Sequence, residues 1–183
     1  IIFSAGSVSA ILEDRKTQTR RVIKPQPLPQ EVWTASGWLH EAEAPLPSPK
    51  LREQKCPYGK PGDLLWVRET WKPTDNDKSL YAADYLDYDY GKRRYYIPGG
   101  IGWKPSIYMP RWASRILLEI TNVRVERLQN ITESDAIAEG ILGEGEFREL
   151  FAITWDTINA KRGFPWESNP WIWVLEFKRI NNG

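Results

Sequence analysis

The sequence predicts an α+β domain: a small mixed β-barrel with helices packed around it. The apolar patterning gives the order helix, strand, long strand, two helices, strand. Strands outnumber helices, and the helices are not regularly interleaved, which argues against a doubly wound parallel sheet. A length of 183 residues fits a single domain, residues 1–183, with room for long loop insertions. Ten tryptophans and eight tyrosines exceed what one core of this size requires. More than half are expected to pack the barrel, and the others to stack on bases or a heterocycle.

Each element follows from local pattern. Ser7 to Asp14 forms a short helix with Val8, Ile11 and Leu12 on one face. Residues 15–24 follow as a basic turn or strand. Residues 25–62 carry seven prolines beyond Pro25 (Pro27, Pro29, Pro45, Pro47, Pro49, Pro57 and Pro61) and predict an excursion without regular structure. Pro61-Gly62-Asp63 is a tight turn, and Leu64 to Glu69 is the strand after it. Residues 72–110 form a second excursion. Ile116 to Arg127 is a long strand. Ile131-Thr132-Glu133 opens a helix capped by Thr132 and ending near Gly140. A second helix spans 146–160, with Phe147, Leu150, Phe151, Trp155 and Ile158 on one face. Pro170 to Ile180 is the last strand, with Trp171, Trp173, Leu175 and Phe177 alternating on one face.

Composition narrows the function. Net charge is +1, so any surface for a polyanion depends on local segregation of charge. The single Cys56 excludes an internal disulfide and a thiolate zinc cluster and suits a reducing cytosol. His40 has no second histidine or cysteine nearby, so no metal is expected, nor any other cofactor. With no basic-then-apolar leader and no membrane-length apolar run, the expected location is cytoplasmic and off the membrane. The missing initiator Met predicts a few residues before Ile1.

The chemistry concentrates in Arg15-Lys16-Thr17-Gln18-Thr19-Arg20-Arg21. A lysine three residues before a threonine sets an amine beside a hydroxyl, with two guanidiniums close behind. That suits a nucleophile with its base, provided neighbouring cations or burial lower the lysine pKa. It equally suits a grip on a phosphate backbone, or a solvated basic turn at a helix C-terminus. An acid for a leaving group has four candidates: Glu69, Glu133, Asp135 and Glu139. Arg68 and Glu69 adjoin on a strand and face opposite ways; one points into the barrel or cleft, with a buried ion pair the plain reading.

The helix, the 15–21 segment, Pro61-Gly62-Asp63 leading into a strand, and the closing Trp173-Val174-Leu175-Glu176-Phe177 together resemble the ASCH domain family. The wider match is to phage- and prophage-encoded members. It extends through Trp66-Val67-Arg68-Glu69-Thr70-Trp71, Met109-Pro110-Arg111-Trp112-Ala113-Ser114-Arg115 and Asn159-Ala160-Lys161-Arg162-Gly163. The resemblance implies a PUA-like β-barrel and recognition of RNA or a modified nucleoside in a cleft beside it. One small bacterial branch removes acetyl from 4-acetylcytidine with a Lys-Thr-x-Thr-x-Arg pattern, matched here by Lys16, Thr17, Thr19 and Arg21. By that resemblance Thr19 is the nucleophile, Lys16 its base and Glu139 the acid/base partner, with Glu69 the second choice. The present chain is much longer than that branch, chiefly through residues 25–62 and 72–110.

Outside the motif, the stretch Gly91 to Arg115 holds Lys92, Arg93, Arg94, Lys104, Arg111 and Arg115 and no acid, interleaved with Tyr95, Tyr96, Trp103, Tyr108 and Trp112. Cations hold phosphates and rings stack on unpaired bases, so the stretch suits single-stranded nucleic acid or an extruded base. The alternative is a surface hairpin whose cations pair with the acidic run Asp75, Asp77, Asp84, Asp87 and Asp89 just before it. The expected function is therefore binding of RNA, single-stranded nucleic acid or a modified nucleoside through Thr17, Arg20, Arg21, Arg68, Glu69, Lys92, Arg93, Arg94, Trp103, Lys104, Arg111 and Trp112. The alternatives are a 4-acetylcytidine amidohydrolase, a metal-independent ribonuclease and a phage accessory module that binds protein.

Overall fold

The computed structural model describes residues 1–26, 31–34, 37–40, 55–74, 78–89, 92–95 and 102–180, with the backbone alone at 31–34, 37–40, 86–89 and 92–95. The first helix, α1, spans Ala5–Leu12, two residues upstream of its expected place. The Ser4 hydroxyl accepts a hydrogen bond from the Ser7 amide and fixes the start, while Asp14, at φ 55°, takes the chain out of the helix. β1 follows at Gln18–Val22.

The first insertion contains a hairpin, β2 (Glu31–Thr34) with β3 (Gly37–His40), where only irregular chain was expected. The prolines stand on either side of this segment, leaving the strand formers Val32, Trp33, Trp38 and Leu39 free to pair. β4 is only Leu64–Trp66; beyond it the chain leaves its partner strand, and Arg68 makes a single bridge to Ile2. The second insertion holds two more hairpins: β5 (Trp71–Pro73) with β6 (Ser79–Tyr81), and β7 (Leu86–Asp89) with β8 (Lys92–Tyr95). β9 (Leu117–Arg127), α2 (Glu133–Ala138), α3 (Phe147–Asn159) and β10 (Trp171–Ile180) complete the fold close to their expected places. Thr132 caps α2 in a reciprocal capping box with Asp135.

The main sheet is antiparallel, in the order β1-β10-β9-β4, and curls as a half-barrel in a mixed α+β architecture. β10 is its centre and is buried on both faces, not on one alternating face as its pattern suggested. Leu175 and Phe177 pack with Val8 and Ile11 of α1 and with Leu118 and Ile120 of β9. Ile172 and Val174 pack instead with Phe151 and Trp155 of α3 and Ala136 of α2. A helix layer covering the second face explains the near-continuous apolar run Trp171 to Leu175. The β9–β10 ladder slips between Glu176 and Phe177: Glu176 faces Asn122 and Phe177 faces Ile120, so Thr121 is the extra residue of a bulge. No helix among the described residues is long and apolar enough to cross a membrane.

Candidate functional site

The turn after α1 builds the site. The amides of Arg15 and Lys16 both donate to the Ala10 carbonyl, at 2.9 and 3.0 Å, folding the chain back toward β1. The end of α2 then docks on this start. The Thr17 amide donates to the Ala138 carbonyl at 2.9 Å, and Lys16 bridges Glu139 across an antiparallel contact. Gly140, at φ 81°, turns the chain away immediately afterwards.

Lys16 Nζ donates to the Glu139 carbonyl and to its Oε2, each at 2.7 Å. The two side chains are 4% and 6% exposed. The Arg20 guanidinium, wholly buried, bridges Glu139 at 3.2 Å, Glu126 at 2.9 Å and Asp135 at 3.1 Å. Segment 15–21 is thus not a solvated turn: Lys16, Gln18, Thr19 and Arg20 are all buried. Burial pushes the Lys16 ammonium below its ordinary range; the Glu139 carboxylate opposes this, and the charges of Arg21 and Arg20 add to it. Lys16 makes two bonds to Glu139 and, among the described residues, none to the Thr19 hydroxyl.

A second ring of polar groups surrounds this pair. Gln18 donates to the Asp135 carbonyl and carboxylate, both at 2.9 Å. Arg124 reaches Asp135 at 3.1 Å, Glu126 at 3.2 Å and Glu176. A cleft of about 340 Å³ opens beside them, lined among others by Thr17, Gln18, Thr121, Asp135 and Glu176. Another of about 260 Å³ reaches Lys16 and Thr17 from the side of Ile11 and Phe177. Burial alone would raise the Asp135 carboxyl, but hydrogen bonds from Gln18 and Thr132, together with the Arg20 charge, outweigh it and hold it below its ordinary 3.8. This stabilisation is complete above that ordinary value and is lost as the pH falls through the lower folded value. Asp135→Asn should therefore shallow the acid limb of the stability curve, followed by urea unfolding between about pH 5 and pH 2. An unchanged limb would mean that Asp135 contributes nothing to it.

Of the residues expected at the site, Lys16, Thr19, Arg20 and Glu139 lie buried at this junction, and Thr17 lines both clefts. Arg21 points the other way, donating to the Ile2 carbonyl at 2.8 Å and lying over the Phe3 ring. Glu69 is buried in an ion pair with Arg115 at 2.9 Å; burial raises its carboxyl, against the pull of that arginine. Trp103 packs against the α1 side of the core, edge-on to Tyr85. Arg68, Lys104, Arg111 and Trp112 gather around Trp66 and Trp71. Lys92, Arg93 and Arg94 lie on β8, where the register sets Asp89 opposite Lys92 and Asp87 opposite Arg94. Their side chains, that of His40, and the residues Tyr96 and Pro98 to Ile101 lie outside the described residues. Gln18, Arg124, Glu126 and Glu176 escaped the sequence reading. Period-two alternation along β1 was the available signal, since it sets Gln18 and Arg20 on one face.

No protein-family model matches this chain, and no curated protein matches it in sequence. Among solved structures it is similar to the crystal structure of a DUF984 protein from Enterococcus faecalis V583, at 13% identity and a TM-score of 0.43. The match covers 94% of this chain, which spans 65% of that protein's length.

Proposed function

We propose that this chain is an ASCH-type domain on a PUA-like barrel, and that it binds RNA or a modified nucleoside at the Lys16–Glu139 centre. The observation that carries the reading is convergence. Lys16 and Glu139, 123 residues apart, meet at 2.7 Å against buried Arg20, with Thr19 buried on the same strand as Arg20. The resemblance assigns roles to Lys16, Thr19 and Glu139, and the same three come from one strand junction. A base or nucleoside edge is recognised by such fixed donors and acceptors in a dry setting.

A second reading, an amidohydrolase of an N-acylated pyrimidine nucleoside such as 4-acetylcytidine, is favoured by the burial of Lys16, which lowers its pKa and so eases its use as a base. In this reading Lys16 would take the proton of the Thr19 hydroxyl. Thr19 Oγ1 would then attack the acyl carbon, the proton taken by Lys16 would pass through Glu139 to the departing amine as the C–N bond breaks, and water would release the acid from the threonine ester.

One titration separates the readings. The protein is mixed with 4-acetylcytidine, cytidine and a short single-stranded RNA, and both binding and release of cytidine are followed. Binding without release, weakened only about 2- to 10-fold by Thr19→Ala, is expected of a reader. Turnover that falls about 10⁴-fold or more in Thr19→Ala identifies the hydrolase. Neither binding nor turnover with any of the three overturns the assignment.

A further inference from the structure

Among the described residues, some cations are held by carboxylates and others are not. Those of the junction (Lys16, Arg20 and Arg124) are tied to carboxylates. Arg21, Arg68, Lys104 and Arg111 make no ion pair among the described residues; they lie over aromatic rings instead. Arg68 is 4.4 Å and Arg111 5.8 Å from the Trp66 ring, and Lys104 is 5.4 Å from that of Trp71. Trp112 stands perpendicular to Trp71 and is 70% exposed, and Tyr108 is 71% exposed. Large rings held this far into water by a 3₁₀ turn are uncommon on a surface that needs only solubility.

This surface is continuous with the candidate site. Arg21 donates to the Ile2 carbonyl, Ile2 bridges Arg68, and Arg68 Nη1 donates to the Ile107 carbonyl at 3.3 Å. Phe3, beside Ile2, lies under both Arg21 and Lys16. A row of unpaired positive charges thus runs from the Lys16 junction past Trp66 to Trp112. By contrast, the register of β7 and β8 sets acids opposite Lys92 and Arg94.

We propose that Arg68, Lys104 and Arg111, with Tyr108 and Trp112, form a track for a single strand of nucleic acid whose target base occupies the Lys16–Glu139 centre. The inference rests on the nucleoside-binding reading of that centre and adds that the ligand is a polymer, not a free nucleoside. Guanidinium and ammonium groups contact phosphates without reading sequence, while exposed rings stack only on bases that are unpaired. An acidic protein surface would match the charge but leave the two rings without a stacking partner.

The test uses the full chain with fluorescein-labelled single-stranded RNA and DNA 10-mers, following anisotropy over a salt series. Trp112→Ala is expected to weaken binding about 5- to 100-fold. Arg68→Gln/Arg111→Gln should flatten the salt dependence by about 1.4 in log–log slope. Lys60→Gln, at an exposed cation that lines neither cleft nor the track, should change neither. The RNA and DNA arms decide which polymer is preferred. Wild-type affinity and slope in both track variants would overturn the proposal, as would wild type binding neither strand. Displacement by polyglutamate as effective as by RNA, with Trp112→Ala silent, would mark an acidic-protein surface and also overturn it. A free nucleoside that binds wild type and Trp112→Ala alike, with no strand bound, sinks the track and leaves the nucleoside site standing. Strand binding that depends on Trp112 but ignores Thr19→Ala sinks the nucleoside site alone.

Discussion

Replacing Glu139 by glutamine is expected to lower the folding stability by about 3–5 kcal/mol. The substitution keeps size and hydrogen-bonding atoms but removes the charge between two buried cations, Lys16 and Arg20. Neither has water to fall back on: the Arg20 side chain is fully buried and that of Lys16 is 4% exposed. Arg20 retains Glu126 and Asp135, so the cost falls mainly on Lys16, which pairs with no other carboxylate among the described residues. The control is Lys16→Met/Glu139→Leu, which removes both charges and should recover most of the loss, because an apolar pair of similar volume needs no desolvation of ions. Urea unfolding of both variants checks this. A loss below about 1 kcal/mol in Glu139→Gln would place the pair among solvated surface bridges.

Gly140→Ala is expected to lose about 2–4 kcal/mol, from two sources. The backbone sits at φ 81°, where a Cβ is strained. The new methyl would also lie 2.9 Å from the Ala10 Cβ and 3.0 Å from the Lys16 Cβ, both rooted in backbone that cannot swing aside. Gly62→Ala separates the terms: at φ 91° with nothing within 4 Å, it carries the backbone cost alone, about 1–2 kcal/mol. The excess in Gly140→Ala measures how tightly the α2 end is pressed against Lys16. Equal losses in the two variants, from thermal or urea melts, would show that this approach has slack.

Local pattern made the backbone elements legible. Thr132 announced α2, the apolar spacing of Phe151 and Trp155 announced α3, and the aromatic run announced β10. What pattern hid was what lay above each face. Ile172 and Val174 looked like the outer residues of an alternating strand, and only the docking of α3 buries them. A buried ion pair was the plain reading for this strand, but the partner of Glu69 was hidden for the same reason. That partner, Arg115, comes from a segment 46 residues away. At the junction, four basic residues in seven suggested a wet turn, since lone cations avoid the interior. Lys16 and Arg20 are buried because Glu126, Asp135 and Glu139 arrive from β9 and the end of α2 to meet them. Spacing within one segment carries no trace of those carboxylates; the family resemblance pointed to Glu139 alone.

The place of β10 between β1 and β9 also has a temporal meaning. During synthesis β1 emerges early and its ladder partner emerges last. Of the four strands in the main sheet, only β4 and β9 can pair before residue 171 leaves the ribosome. Until then Trp171 to Leu175 is not there to close either face, and the basic segment before β1 waits in water with its guanidiniums hydrated. Non-local closure of this kind is slow, and it exposes apolar surface while the chain waits. The nascent chain thus carries this apolar surface uncovered until β10 takes its place between β1 and β9.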